Sequence, residues 1–496
     1  MKPLGSLLDG VPAPWQALPI SGIAVDSRAV KPGNLFVAVK GAHHDGHRFA
    51  EEVALSGAAA ILAEQPLSAS IPVVRVPSTG AALSELAARF YDHPSRSMDV
   101  VGITGTNGKT TITYLLESIW RTEGTAGGVL GTVDYRWPNH MEKAVNTTPH
   151  ALDVQRLLAA MRSDGVTRAA MEVSSHALSL GRVEDVVFAV GLFTNLTQDH
   201  LDFHGDMEGY FRAKARLFEL LARSPRPPRR AVVNLDDSWA KRFLETVRTP
   251  VWTYGVEGTA DFRAEGLTLS GEGSRFRAVT PRGTREMHLA LVGRHNVYNA
   301  LGALAAAAAL GTELDTAARG LEALAGVPGR LERVTEHPAG SRNPSEIPFG
   351  VFVDYAHTDD ALRNVLETLR PLTRGRIIVL FGCGGDRDRT KRPKMGERAA
   401  RLADHVIVTS DNPRSEDPQT IAREVEVGVR RVSGRSYDVV VERGEAIERA
   451  LSLAKEGDVV LLAGKGHETV QIFGDRSVSF DDRAMARRLL AGRAGR

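Results

Sequence analysis

The sequence predicts an α/β protein of three domains, each built from strands that alternate with helices. Three observations carry that reading. The chain has 496 residues, more than a single hydrophobic core usually serves. Short apolar runs of strand length recur between longer Ala-rich stretches of helix length, the pattern of a parallel sheet covered on both faces. One such run, DVVGIT (Asp99–Thr104), passes directly into a Gly-containing loop and a helical stretch.

Composition narrows the class. A hydrophobic share of 43% and a charged share of 25% are those of an ordinary globular protein. The net charge is +2, so no global basic field recruits nucleic acid or a membrane surface. The N-terminal MKPLGSLLDGVPAPW lacks the apolar core of a signal peptide. The Ala-rich run near Val297–Leu310 is too short to span a bilayer and reads as a buried helix. Cys383 is the only cysteine. It excludes an intrachain disulfide, fits a cytoplasmic location, and reads as a small residue at a strand end.

The three domains are expected at residues 1–97, 98–332 and 333–496. The first holds the strand candidates NLFVAV, AAILAE and IPVVRV and closes at the Pro-containing YDHPSRSM. The second adds RAAMEV (Arg168–Val173), FAVGLF (Phe188–Phe193) and RAVVNL (Arg230–Leu235) to the strand before the Gly loop. After GVPGRLERV and the polar, Pro-rich EHPAGSRNPSEIP comes a third, Rossmann-like α/β unit. Its strand candidates are GVFVDYA, RIIVLFG, HVIVTS and DVVLLAG.

The loop TGTNGKTT (Thr104–Thr111) reads as a phosphate-binding loop, although it departs from the strict pattern. That pattern has a glycine five residues before the GK glycine, and the position is Ile103 here. The physics survives, because strand, tight turn and helix N-terminus still aim backbone N–H groups at phosphate. Gly105, Thr106, Asn107, Gly108, Lys109, Thr110 and Thr111 are the candidate ATP contacts. Lys109 is placed to reach the terminal phosphates and the Thr110 hydroxyl to ligand Mg²⁺.

Ligands of open parallel sheets gather at the carboxyl ends of the strands. RAAMEV ends at Glu172, followed by Ser174, Ser175 and His176, and FAVGLF leads to Asn195, Asp199 and His200. Glu172 and His200 beside a triphosphate are candidate ligands of a second divalent cation. Lys214, in GYFRAKARLF, stands among aromatic and aliphatic residues, where a lone lysine would usually face solvent.

In this order and spacing TGTNGKTT, MEVSSH, TNLTQDHLDFHG and YFRAKARLF resemble the Mur ligase family, cytoplasmic enzymes that add amino acids to UDP-N-acetylmuramic acid in peptidoglycan synthesis. The resemblance covers essentially the whole chain, with DSR…PGNLFVAVKG, GRHNVYNALGA, VPGRLERV and VDYAHT. NTTPHALDVQ (Asn146–Gln155) and the DSR opening fit the member that adds the third residue. It implies a central P-loop ATPase domain, a UDP-sugar-binding N-terminal domain and an amino-acid-binding C-terminal domain. Lys214 matches the lysine that the family carbamylates with CO₂, giving a carboxylate-like ligand that joins Glu172 and His200 at a second Mg²⁺, with Thr110 on the first. Burial among Tyr210, Phe211, Leu217 and Phe218 favours the neutral amine that carbamylation needs.

Ser27, Asn146, Thr147, Thr148, Ser174 and Arg182 match positions that hold UDP-N-acetylmuramoyl-L-Ala-D-Glu, and Asn296, Asn299, Arg330 and Asp354 match nucleotide contacts. His43 and His44 lie where family members contact uridine. The implied enzyme is a monomer with no nucleic-acid or membrane partner. Its dipeptide carboxylate takes the γ-phosphate of ATP, and an incoming amine then displaces phosphate from the acyl phosphate. Closure of the third domain is expected to exclude water from that step.

The third segment addresses which amine arrives. Three of its strands end in loops rich in functional groups, GCGGDRDRTKRP (Gly382–Pro393), DNPRSEDP (Asp411–Pro418) and GKGHE (Gly464–Glu468). A substrate whose far end is itself an amino acid presents a carboxylate and an ammonium. Arg414 and Arg387 can take the carboxylate, and Glu468 and Asp411 the ammonium. meso-Diaminopimelate has such an end and lysine does not. In the family, DNPR here (Asp411, Asn412, Pro413, Arg414) marks the diaminopimelate-adding type, with Gly464 alongside. Three alternatives fit less well. Folylpolyglutamate synthase would lack DSR…PGNLFVAVKG, a degenerate nucleotide-binding regulator would not keep Lys109, Thr110, Glu172, His200 and Lys214, and an oxidoreductase would show G-x-G-x-x-G.

Overall fold

The computed structural model describes residues 1–41, 45–334 and 348–494. His43, His44 and most of the polar, Pro-rich segment after Val334 lie outside them. The chain divides into two compact units, the first centred on 1–265 and the second on 322–496, with parts of 266–321 assigned to each.

The first unit holds two main sheets and a two-stranded ribbon, Lys2–Pro3 against Pro19–Ile20. The N-terminal one has four parallel strands, Gly22–Ala24, Asn34–Val37, Ala60–Ala63 and Val73–Arg75. The three apolar runs read from the sequence are three of them. Eight of the larger sheet's eleven strands lie wholly in this unit, in the order 140–143, 134–137, 127–130, 168–172, 99–104, 188–193, 230–234 and 251–255. From 127–130 to 251–255 its strands are parallel. The central strand Asp99–Thr104 is flanked by Arg168–Glu172 and Phe188–Phe193, with Ile103 opposite Glu172 and Thr104 opposite Phe193. That register brings the ends of the three strands bearing the predicted phosphate-site residues side by side.

Helix Met207–Arg223 covers this sheet because its apolar residues fall on one stripe: Tyr210, Phe211, Leu217, Phe218 and Leu221 are buried at i, i+3, i+4 spacing. Asp206 caps it, accepting from Gly209 N–H at 2.7 Å, a contact worth about 1 kcal/mol. Lys214 lies in the same stripe and is 1% exposed, not on a solvated face. The Ala-rich run forms helix Arg294–Ala309, with Ala303 to Ala307 buried. Among the described residues no helix is long and apolar enough to cross a membrane.

The second unit carries a six-stranded sheet ordered 332–333, 350–354, 459–463, 377–381, 405–408 and 436–439. All but the short edge strand Glu332–Arg333 run parallel. Four strands were legible as apolar runs, and their near-total burial is the reason. Asp354 pairs with Ala463, and Phe381 with Val408, so the loops after these strands leave from one edge. Cys383 follows a strand end as expected and is buried against Met395.

Candidate active site

The phosphate loop shows why its sequence departs from the strict motif. Ile103 is a fully buried strand residue, so the turn falls later, on Gly105 (φ +143°) and Gly108 (φ +89°). Neither tolerates a side chain. A Cβ on Gly105 would lie 1.8 Å from Thr194 Oγ1, and one on Gly108 2.4 Å from Asn299 Oδ1. The loop is clamped by the segment after the next strand. Asn107 N–H donates to Asn195 Oδ1 at 2.9 Å, Thr194 Oγ1 donates to the Asn107 carbonyl at 2.6 Å, and Thr106 Oγ1 donates to the Thr197 carbonyl at 3.2 Å. Helix Lys109–Glu123 begins at the loop with Gly108 as its cap. Thr111 is buried in its first turn.

Two lysines converge beneath the loop. Lys109 Nζ donates to the carbonyls of Gly105 and Thr106, both at 2.8 Å, and Lys214 Nζ donates to Gly105 at 2.8 Å. Lys214 also lies 4.5 Å from the centre of the Tyr210 ring. Burial first, and then the charge of Lys109, hold its pKa well below the ordinary lysine range.

Glu172, 1% exposed, is the hub of a second cluster. Its Oε2 accepts from Thr110 Oγ1 at 3.1 Å and Thr132 Oγ1 at 3.0 Å, and its Oε1 from Thr132 N–H at 2.8 Å. Thr132 was not legible as a site residue, for it lies in a short loop after an apolar run and belongs to no motif. It also reaches Thr147, Oγ1 to Oγ1 at 3.1 Å. Thr148 Oγ1 donates to the Glu172 carbonyl at 2.8 Å, Ser174 N–H donates to Thr148 Oγ1 at 3.0 Å, and Arg182 donates to the Thr148 carbonyl at 3.1 Å. Tyr135 OH donates to the Asn146 carbonyl at 2.6 Å. Four of the six predicted substrate residues, Thr147, Thr148, Ser174 and Arg182, thus gather around Glu172, and Asn146, next in sequence to Thr147, is held by Tyr135. Ser27 stands apart, at the start of a short helical turn in the N-terminal sheet.

His200 adopts φ +52° and lies edge-on to His176 at 4.8 Å between ring centres. No hydrogen bond joins it to Glu172 or Lys214, and among the described residues no group of three acidic, histidine or cysteine side chains is arranged as a metal site. The oxygen donors of Thr110 and Glu172 suit Mg²⁺, and an ammonium on Lys214 does not. A second cation beside Lys214 would require that amine in a carboxylate-like form.

In the second unit Asp354 is buried, accepting from Leu331 and Ala356 N–H at 2.6 and 2.8 Å, and burial raises its pKa. Arg330 lies over the Tyr355 ring at 4.9 Å. On helix Arg294–Ala309, Asn296 and Asn299 are both buried.

The three polar loops meet. Asn412 Nδ2 donates to Glu468 Oε2 at 2.8 Å. Arg414, at φ +53°, donates to the Gly385 carbonyl at 2.8 Å. A Cβ on Gly384 would come within 2.9 Å of Arg414 Nη1 and 3.8 Å of Arg387 Cγ, so both arginines flank one glycine. Gly464 (φ +107°) donates to the Asp354 carbonyl at 3.0 Å. The Pro413 carbonyl leaves no room for a Cβ on Gly385. Asp411 is buried, and burial raises its pKa.

Comparison with known proteins agrees with this geometry. Three family models match in succession: Mur ligase family, catalytic domain, at residues 19–91; Mur ligase middle domain at 103–307; and Mur ligase, glutamate ligase domain, at 329–466. UDP-N-acetylmuramoyl-L-alanyl-D-glutamate–2,6-diaminopimelate ligase of Bacillus velezensis is 46% identical, covering 95% of this chain and 94% of that one. The protein of the same name from Solibacter usitatus is 45% identical over 99% and 98%. A solved structure of such a ligase matches with TM-score 0.71 and 32% identity over 99% of each chain. Folylpolyglutamate synthase of Mycobacterium tuberculosis, at 19% identity and TM-score 0.62 over 83% of this chain and 95% of that one, shares the fold. Matched in order by three models and by relatives this close over nearly its full length, the chain belongs to the Mur ligase family.

Proposed function

We propose that the chain is an ATP-dependent ligase that joins meso-2,6-diaminopimelate to the D-Glu carboxylate of UDP-N-acetylmuramoyl-L-Ala-D-Glu in peptidoglycan synthesis. It works as a cytoplasmic monomer whose regions 1–97, 98–332 and 333–496 serve the UDP-sugar, ATP and the amino acid. The observation that carries the reading is the union of a phosphate loop and a buried carboxylate at adjacent strand ends with a buried lysine that the covering helix Met207–Arg223 brings to the loop carbonyl of Gly105. Relatives 45–46% identical over nearly the whole chain bear the name of this activity.

The chemistry follows from what each group can hold. The loop N–H groups and Lys109 bind the triphosphate and offset the charge gathered where a carboxylate meets it. The carboxylate oxygen attacks the γ-phosphorus, ADP leaves, and an acyl phosphate forms. The amine of diaminopimelate attacks the acyl carbon, loses a proton, and phosphate departs from the tetrahedral intermediate. Thr147, Thr148, Ser174 and Arg182, tied to Glu172 through the contacts above, orient the dipeptide end. Thr110 would hold one Mg²⁺, and Glu172, His200 and a carbamylated Lys214 a second, and these ions when bound would supply Lewis-acid stabilisation of the phosphoryl oxygens.

At the amino-acid site Arg414 and Arg387 take the distal carboxylate, and Glu468 and Asp411 the distal ammonium. The buried Asp411 Oδ1 has no hydrogen-bond partner among the described residues, and an entering N⁺–H donor satisfies it. Arg414→Ala tests this reading. The KM for diaminopimelate is expected to rise about 100-fold, from loss of a charge-assisted pair, while the KM for ATP holds. Unchanged diaminopimelate kinetics would remove Arg414 from the site.

A further inference from the structure

Three fully buried cations support the amino-acid loops of the second unit, Arg392 and Lys465 within the quoted stretches GCGGDRDRTKRP and GKGHE and Arg443 outside them. Two anchor backbone. Arg392 bonds Glu416 and Glu424 and donates to the Gly384 carbonyl. Arg443, paired with Asp482, donates to the carbonyls of Ser410 at 3.1 Å and Ala463 at 2.9 Å, directly before Asp411 and Gly464. The third, Lys465, touches the recognition groups themselves.

Lys465 is 0% exposed. Its Nζ donates to the Val470 carbonyl at 2.5 Å, to Glu468 Oε2 at 3.1 Å and to Asn412 Oδ1 at 3.4 Å, and lies 3.7 Å from Asp411 Oδ1. Its three hydrogens are thereby spent on acceptors from two loops. Asn412 completes the link: its Nδ2 donates to the same Glu468 oxygen, and its Oδ1 accepts from Ile472 N–H at 3.1 Å. Glu468 and Asn412 are therefore fixed before any ligand arrives.

The charges matter as much as the geometry. Among the groups that the loops hold in place, Lys465 and Arg414 bring two positive charges, and Asp411 and Glu468 two negative ones, while Arg387 is exposed and its charge is screened by solvent. A pocket balanced this way accepts a zwitterionic end without leaving net charge. A bare ammonium end leaves one uncompensated positive charge, beside a lysine that cannot turn away. Without Lys465 the balance reverses, and a bare cation becomes the matched ligand.

We propose that Lys465 is a specificity-determining positioning residue, which presets Glu468 and Asn412 and sets the pocket charge so that a zwitterionic amino-acid end is accepted and a bare amine end is rejected. This rests on the ligase reading above.

The test measures ATP-dependent phosphate release by the full chain with UDP-N-acetylmuramoyl-L-Ala-D-Glu, titrating diaminopimelate or lysine. For Lys465→Gln the ratio of kcat/KM for diaminopimelate over lysine is expected to fall at least about tenfold. The KM for diaminopimelate rises while that for ATP stays within about twofold. Lys465→Arg, which keeps the charge, restores most of the ratio. A ratio unchanged in Lys465→Gln, or losses equal for both amines, overturns the proposal. If Lys465→Gln does not fold, the wild type with the distal monoamide of diaminopimelate decides. The charge balance predicts turnover as poor as with lysine, and turnover equal to diaminopimelate contradicts it. A wild type that releases no phosphate with diaminopimelate defeats the ligase reading instead.

Discussion

Lys109 and Lys214 donate to one and the same atom, the carbonyl oxygen of Gly105, each at 2.8 Å. Two ammonium groups on one acceptor repel, and the buried member gives way: Lys214 has its pKa held well down by burial and then by Lys109. A neutral amine is the form that adds CO₂, and the carbamate so made would attract Lys109 instead of repelling it. Lys214→Met is therefore expected to lower ligation by on the order of 10³-fold while the fold survives, since methionine suits the apolar stripe. Intact-mass measurement should find bound CO₂ on the wild type and none on the variant. Full activity without that mass would end the carbamate model.

Thr132 supplies two of the three hydrogen bonds on the Glu172 carboxylate. Thr132→Val keeps its N–H and loses its hydroxyl, freeing Glu172 Oε2 to drift. Activity should fall about 10- to 100-fold, the usual effect of removing a residue that orients a metal ligand. The concentration of Mg²⁺ needed for half-activity should rise. A variant with unaltered Mg²⁺ dependence would show that Thr132 serves only the fold.

Gly105→Ala should abolish nucleotide binding, because its φ of +143° and the 1.8 Å approach to Thr194 Oγ1 leave no place for a methyl. Calorimetric titration with ATP is the direct check. Ordinary affinity would mean that the loop opens easily, and that its clamp by Thr194 and Asn195 is of no consequence.

The imidazole of His176 is lowered from 6.5 to about 4, by burial and then by its neighbours His200 and His204. As pH falls from 6.5 towards 4 the unfolded chain takes up a proton that the folded chain refuses. Stability present above pH 6.5 is therefore lost across that window. His176→Asn should flatten the fall of Tm with pH between about 6.5 and 4. Parallel Tm profiles for variant and wild type would show that His176 is not the group responsible.

Much of this was legible in the sequence where one physical pattern governs. Strands buried on both faces read as apolar runs, so Asp99–Thr104, Phe188–Phe193 and Ile377–Phe381 stood out. Strands with one solvated face did not. Gly273–Thr280 alternates buried with exposed positions, and its arginines mask the pattern. Lys214 looked like a solvated lysine by residue type, and only its place in the stripe of Tyr210, Leu217 and Leu221 makes it a buried one. Thr132 and Lys465 gain their meaning from partners 40 and 53 residues away, Glu172 and Asn412, which no local pattern encodes.

The most direct test of the whole reading is amine-dependent phosphate release from ATP with UDP-N-acetylmuramoyl-L-Ala-D-Glu, comparing meso-diaminopimelate with lysine. Release that depends on diaminopimelate, with lysine poorer by about 100-fold or more, is the expected result. Release with neither amine, or a preference for lysine, would contradict the account.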